Sequence, residues 1–520
     1  MRRLNESAIS FVIIFSWVAL SLVIGLLAGL KKKFGLEQYL VSGRALGMAL
    51  VYVLLAGEIY SAFAFLGTAG WAYSYGAPIM YSLGYGCLAY VLGYFLAKYI
   101  WKFGKRYHYV TQADFFQDRY DSKTLGILVA LVGIIFNIPY IQLQLQGLGY
   151  VLHVCSYGTI GVKIAMTVGL LVMIVYVFTS GLRGIAWTNL VQSILMFLVG
   201  WVILFSIMSI KFGGVGEMFN QLLVSHPGHL TLPGASGVMG VPWYVSTLIL
   251  CGLGFFMYPQ MWPSVYSARS SRELGLTYAL LPLFSLLLIP VILVGFSAIL
   301  FSIPLATPDE AVLVVAKATY PSWVVGLVGA GGFAAAASTA SAIILSVSGL
   351  LASNVYKTVK PSSSNLELAW VSRAFVLLVG VLSLLLALFF PEMLVSLLLL
   401  AYSGITQLFP GVVLGFFSKR VTKQGVVSGI IAGLITIVYL QLSGIGNLFQ
   451  IHLGLWGLMV NFMVLFVVMA FTGPPDEETL KRFFRCSENN DPKGHNDPKG
   501  HNDPKGHNDP KGHNDPKGYP

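Results

Sequence analysis

Apolar residues fill this chain in long runs, separated by short polar joints. A bilayer core about 30 Å thick needs roughly 20 apolar residues per spanning helix. A window of roughly 19 residues predicts about thirteen spans, near 8–30, 45–72, 77–101, 124–152, 160–180, 185–210, 241–267, 274–303, 323–353, 367–390, 393–418, 425–444 and 452–472. The first run, Ala8 to Leu30, is too long for the apolar region of a signal peptide. It has no small-residue cleavage site before Lys31, Lys32 and Lys33, so it reads as a retained helix. Composition agrees: 56% of residues are hydrophobic and 10% charged, against about a quarter charged in soluble domains. The fold class is all-α, an integral membrane protein.

Charge then sets the topology. The formal net charge is +11, but the basic residues sit in the joints and form no nucleic-acid patch. One side holds Lys31 to Lys33, Arg44, Lys102, Lys105, Arg106, Arg119, Lys123, Arg183, Arg269, Arg272, Lys357, Lys360, Lys419, Arg420 and Lys423. The other has little beyond Arg2, Arg3, Lys163, Lys211 and Lys317. The positive-inside rule therefore puts the N-terminus outside and the C-terminus in the cytoplasm of a multi-pass cell-membrane protein. Cys87, Cys155, Cys251 and Cys486 show neither paired nor metal-ligand spacing. After Gly473 the chain turns polar, and from Asn490 it repeats Asn-Asp-Pro-Lys-Gly-His. Such a segment buries no core and is expected to be a disordered cytoplasmic tail over 473–520. Its spaced histidines (His495, His501, His507, His513) offer weak metal ligation at most, and the tail leaves no room for a catalytic or output domain.

Two spans are interrupted in their middles by Gly, Pro and polar residues, over Leu54–Gly67 and Gly252–Pro263. Leaving aside the first helix, they open two successive sets of five spans. Paired broken helices in matching positions mark an inverted-repeat transporter, in which freed carbonyls and half-helix ends bind ion and solute at midplane. Gly and Pro also serve plain helix packing in membranes. Glu58 lies in the first break and is the one acid deep in a span; a carboxylate there ligates a cation, carries a proton, or holds the unwound backbone. In the ninth span Ala335, Ser338 and Thr339 stand at i, i+3 and i+4 on one face. Neutral hydroxyls with carbonyls suit a hard monovalent cation, although such hydroxyls also bond back to their own helix. Gln142 and Gln146, four apart in the fourth span, face one side and are open to a polar solute or to interhelical bonding. A membrane enzyme is disfavoured, because His108, His153, His226, His229 and His452 lie in joints or at span ends without zinc spacing.

Four segments together resemble the sodium:solute symporter family, over about residues 35 to 430. They are Val41-Ser-Gly-Arg-Ala-Leu-Gly47, Ser61-Ala-Phe-Ala-Phe-Leu-Gly-Thr-Ala-Gly-Trp-Ala-Tyr73, Thr179-Ser-Gly-Leu-Arg-Gly-Ile-Ala-Trp-Thr-Asn-Leu-Val-Gln192, and Ala335-Ala-Ala-Ser-Thr339 followed by Ala352-Ser-Asn-Val-Tyr-Lys357. The resemblance implies a LeuT-like core of ten helices in two inverted five-helix repeats, working by alternating access. It divides the chain into an extra N-terminal helix and joint (1–44), a core at 45–420 (repeats about 45–210 and 241–420), two further spans (421–472) and the tail (473–520). It implies sodium symport of a small organic solute with no organic cofactor. The sodium ligands by position are the carbonyls of Gly57, Tyr60 and Ala335 and the hydroxyls of Ser338 and Thr339. Many members carry Asp where this chain has Asn189, and some carry Asp at Ile59, next to Glu58; Glu58 and Asn189 are thus the coupling candidates. Tyr258-Pro-Gln-Met-Trp262 and Ala401-Tyr-Ser-Gly-Ile-Thr-Gln-Leu-Phe-Pro410 look most like the monocarboxylate and pantothenate branch. The expected solute is a monocarboxylate-type anion, with Ser61, Gln142, Gln146, Tyr258, Gln260, Trp262 and Tyr402 as candidate contacts. The alternatives are a proton-coupled or uncoupled carrier of amino acids or other small solutes, or a solute sensor.

Overall fold

The computed structural model describes residues 2–29, 35–445 and 447–488. The Asn-Asp-Pro-Lys-Gly-His repeats with their histidines, and Lys31 to Lys33, lie outside the described residues. The described chain is helical throughout, with one isolated parallel bridge between Leu46 and Ala268.

The main helices are α1 (Arg2–Gly29), α2 (Met48–Ile59), α3 (Phe63–Tyr75), α4 (Ala77–Tyr107), α5 (Gln112–Arg119), α6 (Lys123–Cys155), α7 (Val162–Phe212) and α8 (Val215–Ser225), with a short helix, Leu36–Val41, ahead of α2. The second half repeats the plan with α9 (Val241–Gly254), α10 (Met261–Tyr266), α11 (Ser271–Leu300), α12 (Ala311–Thr319), α13 (Ser322–Val359), α14 (Asn365–Phe389) and α15 (Leu394–Phe417). After these come α16 (Lys423–Leu442), α17 (Leu453–Phe471) and α18 (Glu477–Glu488). Two helices are broken partway along their length, α2/α3 and α9/α10, the first pair bent by 51°.

Among the described residues ten helices are long and apolar enough to span a membrane, and the bent pair makes an eleventh. Two features make this tally of continuous runs lower than the expected count of about thirteen spans. The spans expected near 160–180 and 185–210 are both present, as two helices joined without a loop within the 51-residue run α7, meeting where Gly181 leaves helical geometry (φ 56, ψ −153). A Cβ at Gly181 would lie 2.4 Å from the Tyr39 carbonyl oxygen, so only glycine turns that corner. The span expected near 241–267 is divided into α9 and α10, each too short to cross. The tail differs as well: the disorder expected from Gly473 gives way to helix α18, with Phe483 buried.

Helix α13 is the axis of the bundle. Its most apolar stretch is 94% buried, against 22% for α1, which lies outside against α7 and α13. Polar joints cap the helices: Thr111 and Asp114 form a reciprocal capping box on α5, and Ser122, Ser270, Ser364 and Thr422 cap α6, α11, α14 and α16. At one end of the bundle, Arg44 donates to the Tyr109 carbonyl, Thr111 and Asn354 join α5 to α13, and Arg119 donates to the Gly415 and Ser418 carbonyls. This is the basic end. Helix α18 seats there, with Phe483 stacked 4.0 Å from Phe103 and near Phe115 and Phe416. The Arg119 guanidinium lies 5.2 Å and 5.3 Å from the Phe483 and Phe484 rings.

Candidate functional site

The first break is where α2 stops obeying helical hydrogen bonding. Tyr60 leaves the helix (φ −91, ψ 80), and the Ser61 N–H turns back to the Ile59 carbonyl at 3.2 Å. In a continuous helix that N–H would bond the Gly57 carbonyl. The freed Gly57 oxygen instead accepts from the Ser338 hydroxyl at 3.1 Å and the Thr339 hydroxyl at 2.7 Å. The same hydroxyls reach the Ala335 carbonyl at 3.0 Å and 3.4 Å. Thus four of the five expected sodium ligands, Gly57, Ala335, Ser338 and Thr339, converge between α2 and α13, and Tyr60 is the residue of the break itself. All of them are buried.

Asn189 joins them from α7. A Cβ at Gly57 would lie 2.5 Å from Asn189 Nδ2, so the amide is pressed against the glycine. Neither Asn189 amide atom finds a hydrogen-bond partner, in a fully buried position. Glu58, one residue on, turns towards the other broken helix. Its Oε1 accepts from the Ser264 hydroxyl of α10 at 2.7 Å, while Oε2 has no partner. The two coupling candidates therefore sit on different sides of α2.

The second break follows one tight turn, Phe255–Met257, after which Tyr258 is extended (φ −62, ψ 127). Its ring lies 4.9 Å from Tyr402 and 5.2 Å from Tyr140, and Tyr402 lies 5.8 Å from Tyr85. Gln260 is buried with neither amide atom paired, and the Ser61 hydroxyl lies beside the Tyr140 phenol. So Ser61, Tyr258, Gln260 and Tyr402 gather around the two breaks, in a setting of phenol rings and neutral polar groups. From this cluster aromatic contacts run through Tyr85, Tyr81 and Trp243 to Trp71. Trp71 and Trp243 line a cleft of about 380 Å³ at the end opposite the basic one.

Three expected contacts are placed elsewhere. Gln142 donates to the Phe390 carbonyl at 2.6 Å, tying down the joint before α15. Gln146, on the same face of α6, lies beside Tyr150. Trp262 donates to the Phe256 carbonyl at 2.9 Å and packs its ring 5.5 Å from Phe115, towards the basic end. Sequence reasoning missed two residues on the other face of α6. Tyr140 donates to the Glu58 carbonyl at 3.3 Å, and Gln144 Oε1 accepts from the Ala62 N–H at 2.9 Å. It missed Asp309 too, which is buried in the joint before α12 and accepts from the Leu394 N–H at 3.1 Å.

Inverted repeats that each open on a broken helix, with freed carbonyls facing hydroxyls across the first, define a secondary membrane transporter. Residues 39–433 match the model of the sodium:solute symporter family, and the chain belongs to that family. It is a sodium-coupled transporter and not an enzyme. A relative described as an uncharacterized symporter, YhjB of Bacillus subtilis, is 37% identical over 89% of this chain and 97% of its own length. A monocarboxylate transport permease protein of Rhizobium johnstonii is 26% identical over 84% of this chain and 90% of its own. The high-affinity proline transporter PutP of Bacillus subtilis is 24% identical over 87% of this chain and 96% of its own. Among solved structures, a sodium-coupled sialic acid symporter superposes with a TM-score of 0.75 at 19% identity, covering 90% of this chain and 98% of that one. Mhp1, a nucleobase-cation-symport-1 family transporter, gives 0.56 at 13% identity over 86% and 94%. These two establish the LeuT-like fold.

Proposed function

We propose that sodium is held between α2 and α13 by the carbonyls of Gly57, Tyr60 and Ala335 and the hydroxyls of Ser338 and Thr339, and that the solute carried with it is a small monocarboxylate-type anion. The observation that carries the sodium site is the convergence of both hydroxyls on the Gly57 carbonyl freed by the break. On binding, sodium takes over the Gly57 and Ala335 oxygens as partner, and the hydroxyls turn their lone pairs to it. That fastens the first broken helix to the axial helix α13, and loss of the ion releases it.

For the solute, the support is chemical. Tyr140, Tyr258 and Tyr402 gather beside the breaks with the neutral polar side chains of Ser61 and Gln260. The first free N–H groups of α3 present the positive end of a half-helix, which favours a carboxylate. Two relatives are named for carrying monocarboxylates and proline, and both kinds of solute contain a carboxylate. For orientation, the end that gathers Arg44, Arg119, Lys357 and Lys419 fits the cytoplasm by the positive-inside rule, with the C-terminus on that side.

The test uses the purified chain in detergent, melted in NaCl and in KCl at matched ionic strength. A ligand that binds only the folded state raises the melting temperature by mass action. A sodium-specific rise that disappears in Ser338→Ala/Thr339→Ala is the expected result; lactate, pyruvate and proline, added in sodium, then rank the solute class. An unchanged rise in the double variant would dismiss the proposed ligands, and stabilisation by proline alone would dismiss the monocarboxylate.

A further inference from the structure

In an unbroken helix the Ala62 N–H would donate to the Glu58 carbonyl, four residues back. At the break this bond is missing, yet both its halves are buried and both are satisfied. The Glu58 carbonyl accepts from the Tyr140 hydroxyl at 3.3 Å, and the Ala62 N–H donates to Gln144 Oε1 at 2.9 Å. Residues 140 and 144 are four apart on α6, as 58 and 62 are on the broken helix, so the two sets face each other on one turn. Gly147 continues the same face. A Cβ there would lie 2.5 Å from the Ala62 Cβ, so α6 can approach the break this closely only because residue 147 is glycine. One helical hydrogen bond has been replaced by two side-chain bonds, both supplied by a single turn of a neighbouring helix.

We propose that Tyr140 and Gln144 are positioning residues for sodium coupling: as a pair they take the place of the Glu58–Ala62 hydrogen bond, hold the first helix open, and so keep the Gly57 carbonyl aimed at α13. The inference rests on the sodium site proposed above. Buried backbone groups do not go without partners, which gives the pair a distinctive signature. Removing either side chain alone orphans one backbone group. Removing both orphans two groups that are each other's natural partners, and the helix can close on itself.

The experiment measures the melting temperature in KCl, the sodium-specific rise, and the sodium concentration at half that rise. The full chain is compared with Tyr140→Phe, Gln144→Leu, Gln144→Glu, the double variant Tyr140→Phe/Gln144→Leu, and Ser338→Ala/Thr339→Ala. Tyr140→Phe and Gln144→Leu are expected to need about tenfold more sodium, the effect of one buried group left unpaired. Gln144→Glu keeps an acceptor for the Ala62 N–H and is expected to stay within about threefold of wild type. The double variant is expected to melt in KCl no lower than the weaker single variant, yet to show no sodium-specific rise. If folded Tyr140→Phe and Gln144→Leu respond to sodium as wild type does, the proposal is wrong. A double variant whose loss of melting temperature equals the sum of the singles also overturns it. A rise abolished by Ser338→Ala/Thr339→Ala but untouched by the α6 variants removes this inference and leaves the sodium site standing. No sodium-specific rise in wild type removes both.

Discussion

At the residue scale the chemistry divides cleanly around α2. Gly57 presents its carbonyl to the hydroxyls of α13, and Glu58 presents its carboxyl to Ser264 of α10. Glu58 therefore acts as a brace between the two broken helices. Gln in its place still accepts from the Ser264 hydroxyl, whereas Ala removes the bond between α2 and α10, worth about 1 kcal/mol, and leaves that hydroxyl only the Gln260 carbonyl at 3.1 Å. Glu58→Gln is expected to keep the sodium-specific rise in melting temperature, and Glu58→Ala to melt several degrees lower. Loss of the sodium rise in Glu58→Gln would show that the carboxylate takes part in coupling itself. The hydroxyl pair was legible in the sequence, because Ala335, Ser338 and Thr339 share a helix face and lie in a family motif. Tyr140 and Gln144 were not. Their role is defined by a backbone bond that is missing elsewhere in the chain, and no local pattern displays an absence. The four-residue spacing of Tyr140 and Gln144 followed by Gly147 was the available signal, and it lay on the face opposite Gln142 and Gln146.

At the scale of elements, the two breaks could be read from Gly, Pro and polar residues in apolar runs, since a membrane tolerates irregular backbone only beside protein or a cavity. Helix α18 was hidden by its neighbourhood. The repeats beyond it dominate the composition, but Leu480, Phe483 and Phe484 stand at i, i+3 and i+4, an amphipathic face in a short polar run. A helix of 12 residues is marginal in water, so this one owes its order to the seat formed by Phe103, Phe115, Phe416 and Arg119. Truncating a buried aromatic removes about 3–5 kcal/mol, more than such a short helix can lose and remain docked. Phe483→Ala is expected to bring the amides of residues 477–488 to open-chain hydrogen-exchange rates while α6 keeps its protection. Unchanged protection at 477–488 would mean that Arg119 and Phe484 suffice to hold the helix.

For the whole molecule, the class and the repeat plan were legible because long apolar runs have few ways to satisfy their backbone in lipid. The junctions were less so: in α7 two helices meet at one glycine corner with no loop between them. Asp309 was overlooked because it lies in a joint, where a carboxylate is ordinarily solvated. Here Gly70 makes room for it: a Cβ at that position would lie 2.7 Å from Asp309 Oδ1. Burial raises its pKa from the ordinary 3.8 to about 7, with the Leu394 N–H opposing and Glu310 adding to the shift. The folded protein thus holds a proton that the unfolded chain releases between those values, so stability falls as pH rises through that window and levels off above it. The melting temperature is expected to decline from pH 4 to about 7, and Asp309→Asn to flatten that decline. Glu310, which burial also raises, contributes to the part of the decline that the variant keeps. An identical slope in Asp309→Asn would exclude Asp309 as its source.

The bridge between Leu46 and Ala268 extends the same logic to motion. The Leu46 N–H donates to the Ser267 carbonyl at 3.0 Å, and the Arg269 N–H donates to the Leu46 carbonyl at 2.9 Å. These two bonds rivet the start of the first broken helix to the finish of the second, at the basic end. Mechanically the pair shares one hinge made of backbone alone, so that neither broken helix can shift at this end without straining these two bonds or carrying the other along.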